Sequence, residues 1–127
     1  MSTPSFLRLP VDPDEGFPQS FRLAFGGLSY IFGLQVDIAE EMLPAADSPD
    51  GLSTAITLPT GGAYLVMTVL GEDALGGSTL LRRKIIPGLV YRAGELAIVV
   101  RTIRIALGNL HGVGPYGSEL VAGVALR

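Results

Sequence analysis

The chain has 127 residues, nine basic and twelve acidic side chains, and a formal net charge of −3. This length suits one ordinary domain, so we expect a single domain over residues 1–127 that opens with a proline-rich segment, residues 1–19. The acidic balance lacks the positive footprint of a nucleic-acid-binding protein, and the absence of cysteine excludes disulfides, thiolate catalysis and cysteine-ligated metal sites within the chain.

The first predicted elements are an edge strand and a hairpin. Residues 6–11 predict a short extended segment at a sheet edge, ended by the proline loop of residues 12–16. In residues 20–25 every second side chain is a large apolar one, and these share one face; they are Phe21, Leu23 and Phe25. Residues 28–36 likewise place Leu28, Tyr30, Phe32, Leu34 and Val36 on one face. The intervening Gly26-Gly27 supplies the positive φ angles of a two-residue turn, which predicts an antiparallel hairpin with one apolar face.

The stretch that follows is acidic and harder to interpret. Residues 37–43 predict either one helical turn or an extension of the preceding strand, and residues 44–51 predict a loop. Residues 53–58 predict a strand and residues 59–62 a turn. Residues 63–70 carry apolar side chains on both faces, which predicts a strand covered on both sides.

The C-terminal half adds three predicted strands, at residues 80–86, 95–107 and 119–126. A glycine-rich connection, residues 71–79, precedes the first of them, and residues 108–117 form a loop before the last. Between the first two, Pro87 and Gly88 fit the central positions of a type II turn.

Together these elements predict an all-β fold, a small barrel or sandwich of about seven to eight mostly antiparallel strands. Barrels and sandwiches produce the same alternation, so the pattern does not choose between them. We expect the following side chains in the core or at an interface: Phe21, Phe25, Tyr30, Leu65, Met67, Ile85, Leu89, Ile98 and Val100.

The loop at residues 108–117 contains two features that could suggest catalysis or cofactor binding. Residues 112–117, GVGPYG, match the letters of the dinucleotide motif, but Pro115 interrupts it and a strand follows where a helix is required. His111 is the only histidine, and as a general base for Ser118 it lacks an orienting carboxylate and an oxyanion hole. We therefore expect no enzyme activity and no catalytic, cofactor-binding or metal-binding residue.

Two pairs of aspartates lie in predicted turns. They are Asp12 with Asp14, and Asp47 with Asp50. Neither loop matches the twelve-residue calcium pattern. Aspartate side chains commonly accept hydrogen bonds from nearby backbone amides in turns, and we interpret both pairs in this way.

The basic side chains within predicted strands form the candidate interface. Arg82 and Lys84 project to one face of their strand and Arg83 to the other. Such charges at an exposed edge discourage uncontrolled strand pairing, and they can equally form ion pairs with an acidic neighbouring subunit. Arg101 and Arg104, which interrupt the longest apolar strand, complete the candidate set.

The composition also predicts a surface that partners cover. Hydrophobic residues make up 48% of the chain and charged residues only 17%, against about 25% charged in typical domains. No window reaches the ~18 continuous apolar residues of a membrane helix, and the N-terminal residues are unlike a secretory signal. We therefore expect a soluble protein that buries part of its weakly charged surface against other subunits.

Short motifs follow one another along nearly the whole chain. They are Leu9-Pro10, Phe21, Phe25-Gly26-Gly27 and Tyr30, then Gly71-Glu72-Asp73, Leu80-Leu81 and Ile85 to Leu89, and finally Gly108-Asn109-Leu110 and Ser118-Glu119-Leu120. In this order the chain resembles the small baseplate plug proteins of tailed phages. It departs from that family in having no tryptophan after the first hairpin and in its long acidic insert, residues 37–51.

The resemblance implies a non-enzymatic virion component, made in the host cytoplasm, that sits in the tail baseplate and helps to close the tail tube. Its implied partners are hub, spike or tube proteins, with the chain either homo-oligomeric or incorporated into a ring, and with no cofactor, nucleic acid or membrane involved. An alternative from the residues themselves is an oligomeric β-barrel that binds a small ligand or saccharide in an internal cavity.

Overall fold

The computed structural model describes residues 6–38, 55–60, 62–73, 76–106 and 118–126. Over these ranges the chain forms nine strands and one short 3-10 helix, Pro13–Glu15. The strands are β1 Leu7–Arg8, β2 Gln19–Phe25, β3 Leu28–Ile38, β4 Ala55–Thr57, β5 Ala63–Asp73, β6 Gly76–Lys84, β7 Val90–Ala93, β8 Leu96–Ala106 and β9 Glu119–Leu126.

The strands form two antiparallel sheets. One sheet has the order β2-β3-β5-β6, and the other has the order β1-β9-β8-β4 with β7 also paired to β8. β4 pairs with the C-terminal half of β8 and β7 with its N-terminal half. The predicted all-β antiparallel fold is confirmed, and the two sheets form a sandwich. The sandwich has nine strands among the described residues, one more than the seven to eight predicted, because β7 was not predicted.

The inner faces of the two sheets meet in one core. The largest fully buried side chains are Phe32, Leu34, Leu58, Leu65, Met67, Ile85, Leu96, Ile98, Ile103, Ile105, Val69 and Val100. Of the expected core or interface set, Tyr30, Leu65, Met67, Ile85, Ile98 and Val100 are buried. Phe21 and Phe25 are partly buried against this core. Leu89 is instead 49% exposed.

The first hairpin has the predicted geometry. β2 pairs with β3 from Gln19 opposite Leu34 to Phe25 opposite Leu28. Gly26 and Gly27 have φ angles of 62° and 82°, which a two-residue turn of this kind requires. The following acidic stretch begins as strand, since β3 continues to Ile38.

Two predictions about the middle of the chain are wrong. Within the predicted connection 71–79, the described residues 71–73 and 76–79 are strand, because β5 continues to Asp73, β6 begins at Gly76 and the two strands pair. Residues 63–70 are not covered on both sides. Their side chains alternate between buried and half-buried, since the outer face of this sheet has no second layer over it in the described part of the chain.

The missed strand β7 forms a tight hairpin with β8. Ala93 lies opposite Leu96, so Gly94 and Glu95 are the only residues of the turn. Gly94 has a φ angle of 58°, and the glycine at the first central position is the type II′ signature. The Val-Tyr-Arg-Ala run before it is a strand of four residues, too short to show clear alternation.

The N-terminal segment closes one edge of the five-stranded sheet. β1 pairs with β9 through Leu7 and Arg8, which confirms the predicted edge position over two residues only. The Asp12 side chain accepts a hydrogen bond from the backbone N–H of Asp14 at 3.0 Å. Asp14 Oδ1 in turn accepts the backbone N–H of Ser118 at 3.0 Å. The turn interpretation is therefore confirmed for Asp12, whereas Asp14 accepts a hydrogen bond from an amide 104 residues away in the sequence.

Candidate interaction surfaces

The candidate interface residues lie on two different sheets. Arg82 pairs with Thr68 and Lys84 with Val66, so both face outward on β6, whereas Arg83 pairs with the buried Met67. All three basic side chains are exposed. The predicted split of this cluster between two faces is confirmed, and β6 is the last strand in its sheet among the described strands.

Arg101 and Arg104 belong to the other sheet. Arg104 lies opposite Thr57 and Glu119 on the outer face of β8, next to the buried Ile103 and Ile105. Arg101 lies at the register shift between β8 and β9. Because the outer faces of a sandwich point in opposite directions, these two arginines do not share a surface with Arg82 and Lys84.

Among the described residues, three large exposed apolar side chains lie close together in sequence between the end of β6 and the start of β7. Ile86, Leu89 and Val90 are 48%, 49% and 55% exposed, and we call these three residues the turn surface. Single exposed aliphatic side chains are common on protein surfaces, but three large ones within five residues form a patch that requires an explanation. An apolar group of this kind, close to charged side chains, is typical of protein interaction sites.

The turn surface is held by hydrogen bonds within the turn and to the five-stranded sheet. Leu89 N–H donates to the Ile86 carbonyl at 3.3 Å, and Gly88 has a φ angle of 86°, so the type II turn is confirmed. Gly88 N–H donates to the Val100 carbonyl at 2.8 Å. The Tyr91 hydroxyl accepts the Ile86 N–H at 2.8 Å and lies 3.2 Å from the Lys84 carbonyl, to which it donates.

Polar groups form a network on the outer face beside the basic edge. Lys84 Nζ lies 4.6 Å from the centroid of the Tyr64 ring, a cation–π distance. A hydrogen bond to the Asp37 carboxylate, together with its negative charge, raises the pKa of Tyr64 above the ordinary value of 10.0. Gln35 Nε2 donates to Asp37 Oδ1 at 2.8 Å. The network therefore links β3, β5 and β6.

A groove of about 310 Å³ crosses this outer face next to the network. Its floor is the row Ser20, Gly33 and Thr68, which are paired across β2, β3 and β5. A Cβ atom on Gly33 would meet only Thr68, at 3.9 Å. The groove exists because a central strand has no side chain at this position.

A second cleft, of about 200 Å³, lies at the end of the sandwich near the β7–β8 turn. Leu80 occupies the register shift on β6, and Cβ atoms on Gly71 and Gly94 would lie 3.0 and 3.3 Å from its side chain. Glu72 borders this cleft, and its Oε1 is 2.8 Å from Arg22 Nε. That carboxylate oxygen is therefore ion-paired with Arg22, although it is buried and accepts no hydrogen bond within the described residues.

The described residues contain no group of three or more His, Cys, Asp or Glu side chains placed to hold a metal ion. Nor does a helix in the described ranges have the length and apolarity to cross a membrane. His111, the GVGPYG loop and the pair Asp47 and Asp50 lie outside the described residues.

The turn surface was only partly anticipated from the sequence. Leu89 was expected in the core or at an interface, whereas Ile86, Val90 and Tyr91 were not singled out. A usable signal was present, because large aliphatic residues on both sides of a Pro-Gly turn are placed where the chain is exposed. The groove at Gly33 carried a weaker signal, a lone glycine within an alternating strand.

The chain matches no protein-family model, no curated protein and no solved structure.

Proposed function

We propose that the protein is a non-enzymatic structural component of a phage tail baseplate, where it plugs or bridges the central hub at the tail tip. The baseplate assignment follows from the resemblance of its ordered motifs to the small plug proteins. The observation that carries the assembly role is the turn surface, where Ile86, Leu89 and Val90 are about half exposed on a rigidly held turn.

Rigidity matters because association costs free energy for every segment that must become ordered. The turn surface is already fixed by Tyr91 and by the bond from Gly88 to the Val100 carbonyl. The basic side chains Arg82 and Lys84 lie on the strand that leads into it. An apolar centre with charged residues at its margin is the usual arrangement of a protein interface.

A matched pair of variants tests this role. Leu89→Asp places a charge in the turn surface. Leu28→Asp makes the same change at a leucine of nearly equal exposure, 50% against 49%, at the start of β3. Both changes are at exposed sites and should alter the free energy of unfolding by about 0.5 kcal/mol or less. Each variant is supplied in trans to a tailed phage from which the gene has been deleted, and purified tails are analysed by mass spectrometry.

The wild-type chain and Leu28→Asp should be recovered in tails, and Leu89→Asp should be lost from them while remaining folded. Equal recovery of both variants would contradict a role for the turn surface. Absence of the wild-type chain from tails would contradict the baseplate function itself.

The groove at Gly33 favours a second candidate function, binding of a small ligand or saccharide. Its volume of about 310 Å³ is at the lower end of the range for small-molecule sites, about 300–1,000 Å³. Ser20, Thr68 and Gln35 place polar groups along it. Gly33→Val would fill the groove, so it should abolish saccharide binding on a glycan array and leave incorporation into tails unchanged.

A further inference from the structure

We propose that the edge of β6 binds an extended acidic strand from a partner protein and rejects a second copy of this chain. The inference rests on the proposed assembly function, and it names the chemistry of a partner. It concerns the backbone and the charges of residues 82–84, which the turn surface does not include.

The backbone of β6 has groups that point away from its neighbour. Ile85 N–H donates to the Leu65 carbonyl on β5 at 2.8 Å. Backbone groups alternate along an antiparallel pair, so Arg83 also faces β5, and the N–H and C=O of Arg82 and Lys84 face the open edge. The Lys84 carbonyl confirms this direction, because it accepts the Tyr91 hydroxyl rather than a group on β5.

At one end of this edge, the Tyr91 hydroxyl forms the hydrogen bonds that the backbone of an additional strand would form. Its hydroxyl accepts the Ile86 N–H and donates to the Lys84 carbonyl. The outward groups before that point are the Lys84 N–H and both backbone groups of Arg82. In the described part of the chain they form no hydrogen bond outside the β5–β6 pairing. An incoming strand would pair with these groups and end at Tyr91.

The charges determine which strand can pair there. If two copies paired through residues 82–84 in antiparallel order about Arg83, Arg82 of one copy would lie opposite Lys84 of the other. Like charges directly opposite each other destabilise strand pairs, and opposite charges stabilise them. Arg82 and Lys84 are two residues apart on one face, so a strand with acidic residues at alternate positions would place a carboxylate against each.

Protection of the strand edge and ion pairing with an acidic neighbour are therefore two effects of the same basic cluster. The same three exposed cations that discourage self-pairing select an acidic partner. A cluster of cations alone would bind any polyanion, but strand addition also requires the outward N–H of Arg82. This requirement separates the proposal from simple charge attraction.

The experiment uses the full chain, uniformly labelled with ¹⁵N, and two synthetic peptides. One peptide alternates Glu with Val and Thr, and the other carries Lys at every Glu position. The variant Arg82→Pro removes the outward N–H, which an edge strand tolerates, and Arg82→Ala removes the side chain only. The double variant Arg82→Glu with Lys84→Glu reverses the charge at exposed positions, and its fold is checked by circular dichroism.

The Glu peptide should shift the amide resonances of Arg82 and Lys84 and slow their exchange with solvent, and the Lys peptide should not. Arg82→Ala should bind more weakly, Arg82→Pro should lose the binding, and the double variant should prefer the Lys peptide. Should Arg82→Pro fail to fold, the amide exchange of the wild-type chain decides the question. Strand addition should slow exchange at Arg82 and Lys84 when the Glu peptide binds, whereas charge attraction alone would leave their exchange rates unchanged.

Any one of the following results would overturn the inference: no shift in β6 with the Glu peptide, equal binding by a folded Arg82→Pro variant, or displacement of the peptide by a single-stranded oligonucleotide that occupies the same residues. Concentration-dependent pairing of wild-type β6 with itself would also overturn it. The proposed function is tested separately, by incorporation of the Leu89 variant into tails. A negative result with the peptides would therefore contradict this inference and leave the proposed function unaffected.

Discussion

The Tyr91 hydroxyl lies 2.8 Å from the backbone nitrogen of Ile86 and accepts its N–H. Tyr91 belongs to the five-stranded sheet, and Ile86 is the second residue after β6, the edge strand of the four-stranded sheet. A single side chain thus ties the two sheets together where the chain crosses between them. The same contact fixes the backbone of the turn surface before any partner arrives.

Removing this hydroxyl should loosen the turn. Tyr91→Phe loses two hydrogen bonds, each worth about 0.5–1.5 kcal/mol, with the lower end expected because water can replace them at an exposed site. Amide exchange should become faster at Ile86, and a urea titration should give the loss of stability. Tyr64→Phe is the control, since its hydroxyl is on the outer face. Unchanged exchange at Ile86 in Tyr91→Phe would refute the role of this contact.

The type II turn requires glycine for its backbone angle. A Cβ on Gly88 would have nothing within 4 Å, so space is not limiting, but its φ angle is 86°. Gly88→Ala should therefore destabilise the fold by about 1–2 kcal/mol. Gly33→Ala is the control, because Gly33 lies within a strand and has no positive φ angle. This substitution should stabilise the fold by about 0.5–1 kcal/mol. Chemical unfolding of both variants measures this difference, and effects of the same sign would contradict it.

The edge strand β1 depends on the small size of Gly123. A Cβ at this position would lie 2.8 Å from Phe6 Cβ and 3.5 Å from the Leu7 carbonyl oxygen. These atoms are in or next to the backbone, so Gly123→Ala should push β1 away from β9. The Leu9 N–H, which donates to the Ala122 carbonyl at 2.8 Å, should then lose its protection from exchange. Full protection in the variant would show that β1 can adjust.

The pKa of Tyr64 should depend on its neighbour on β3. The hydrogen bond to Asp37 and the charge of that carboxylate raise the pKa of Tyr64 above 10.0, so Asp37→Asn should lower it. Because the pKa rises on folding, protonated Tyr64 stabilises the fold below pH 10.0, and this contribution is lost as the pH rises through the folded pKa.

A ¹³C titration of the tyrosine rings measures this change directly. Glu95→Gln is the control, because Glu95 lies on the β7–β8 turn and should leave the titration of Tyr64 unchanged. A Tyr64 pKa that does not respond to Asp37→Asn would show that the interaction does not persist in solution.

Much of the fold could be predicted because its signals are local. The apolar alternation of residues 28–36 and the Gly26-Gly27 turn together determine one hairpin, and Pro87 with Gly88 determines another turn. The extent of β5 and β6 could not be predicted, because Gly71 and Gly77 resemble a loop when considered alone. They are held in strands by pairing with Ser78 and Glu72, a tertiary effect that overrides local preference.

The interaction surfaces were less accessible to prediction. Side-chain alternation correctly placed Arg82 and Lys84 on one face, but the separation of Arg101 and Arg104 onto the opposite sheet depends on topology. The outer face of residues 63–70 looked buried because Tyr64, Val66 and Leu70 are apolar. In the structure they are half-buried, since apolar composition does not reveal whether a second layer covers a strand.

Electron cryo-microscopy of tail tips, from a phage that carries this gene, tests the central claim most directly. The account predicts density for this chain at the tail tip, with Ile86, Leu89 and Val90 in contact with a neighbouring subunit. A tail tip that lacks the chain, or one in which these three side chains face solvent, would contradict it.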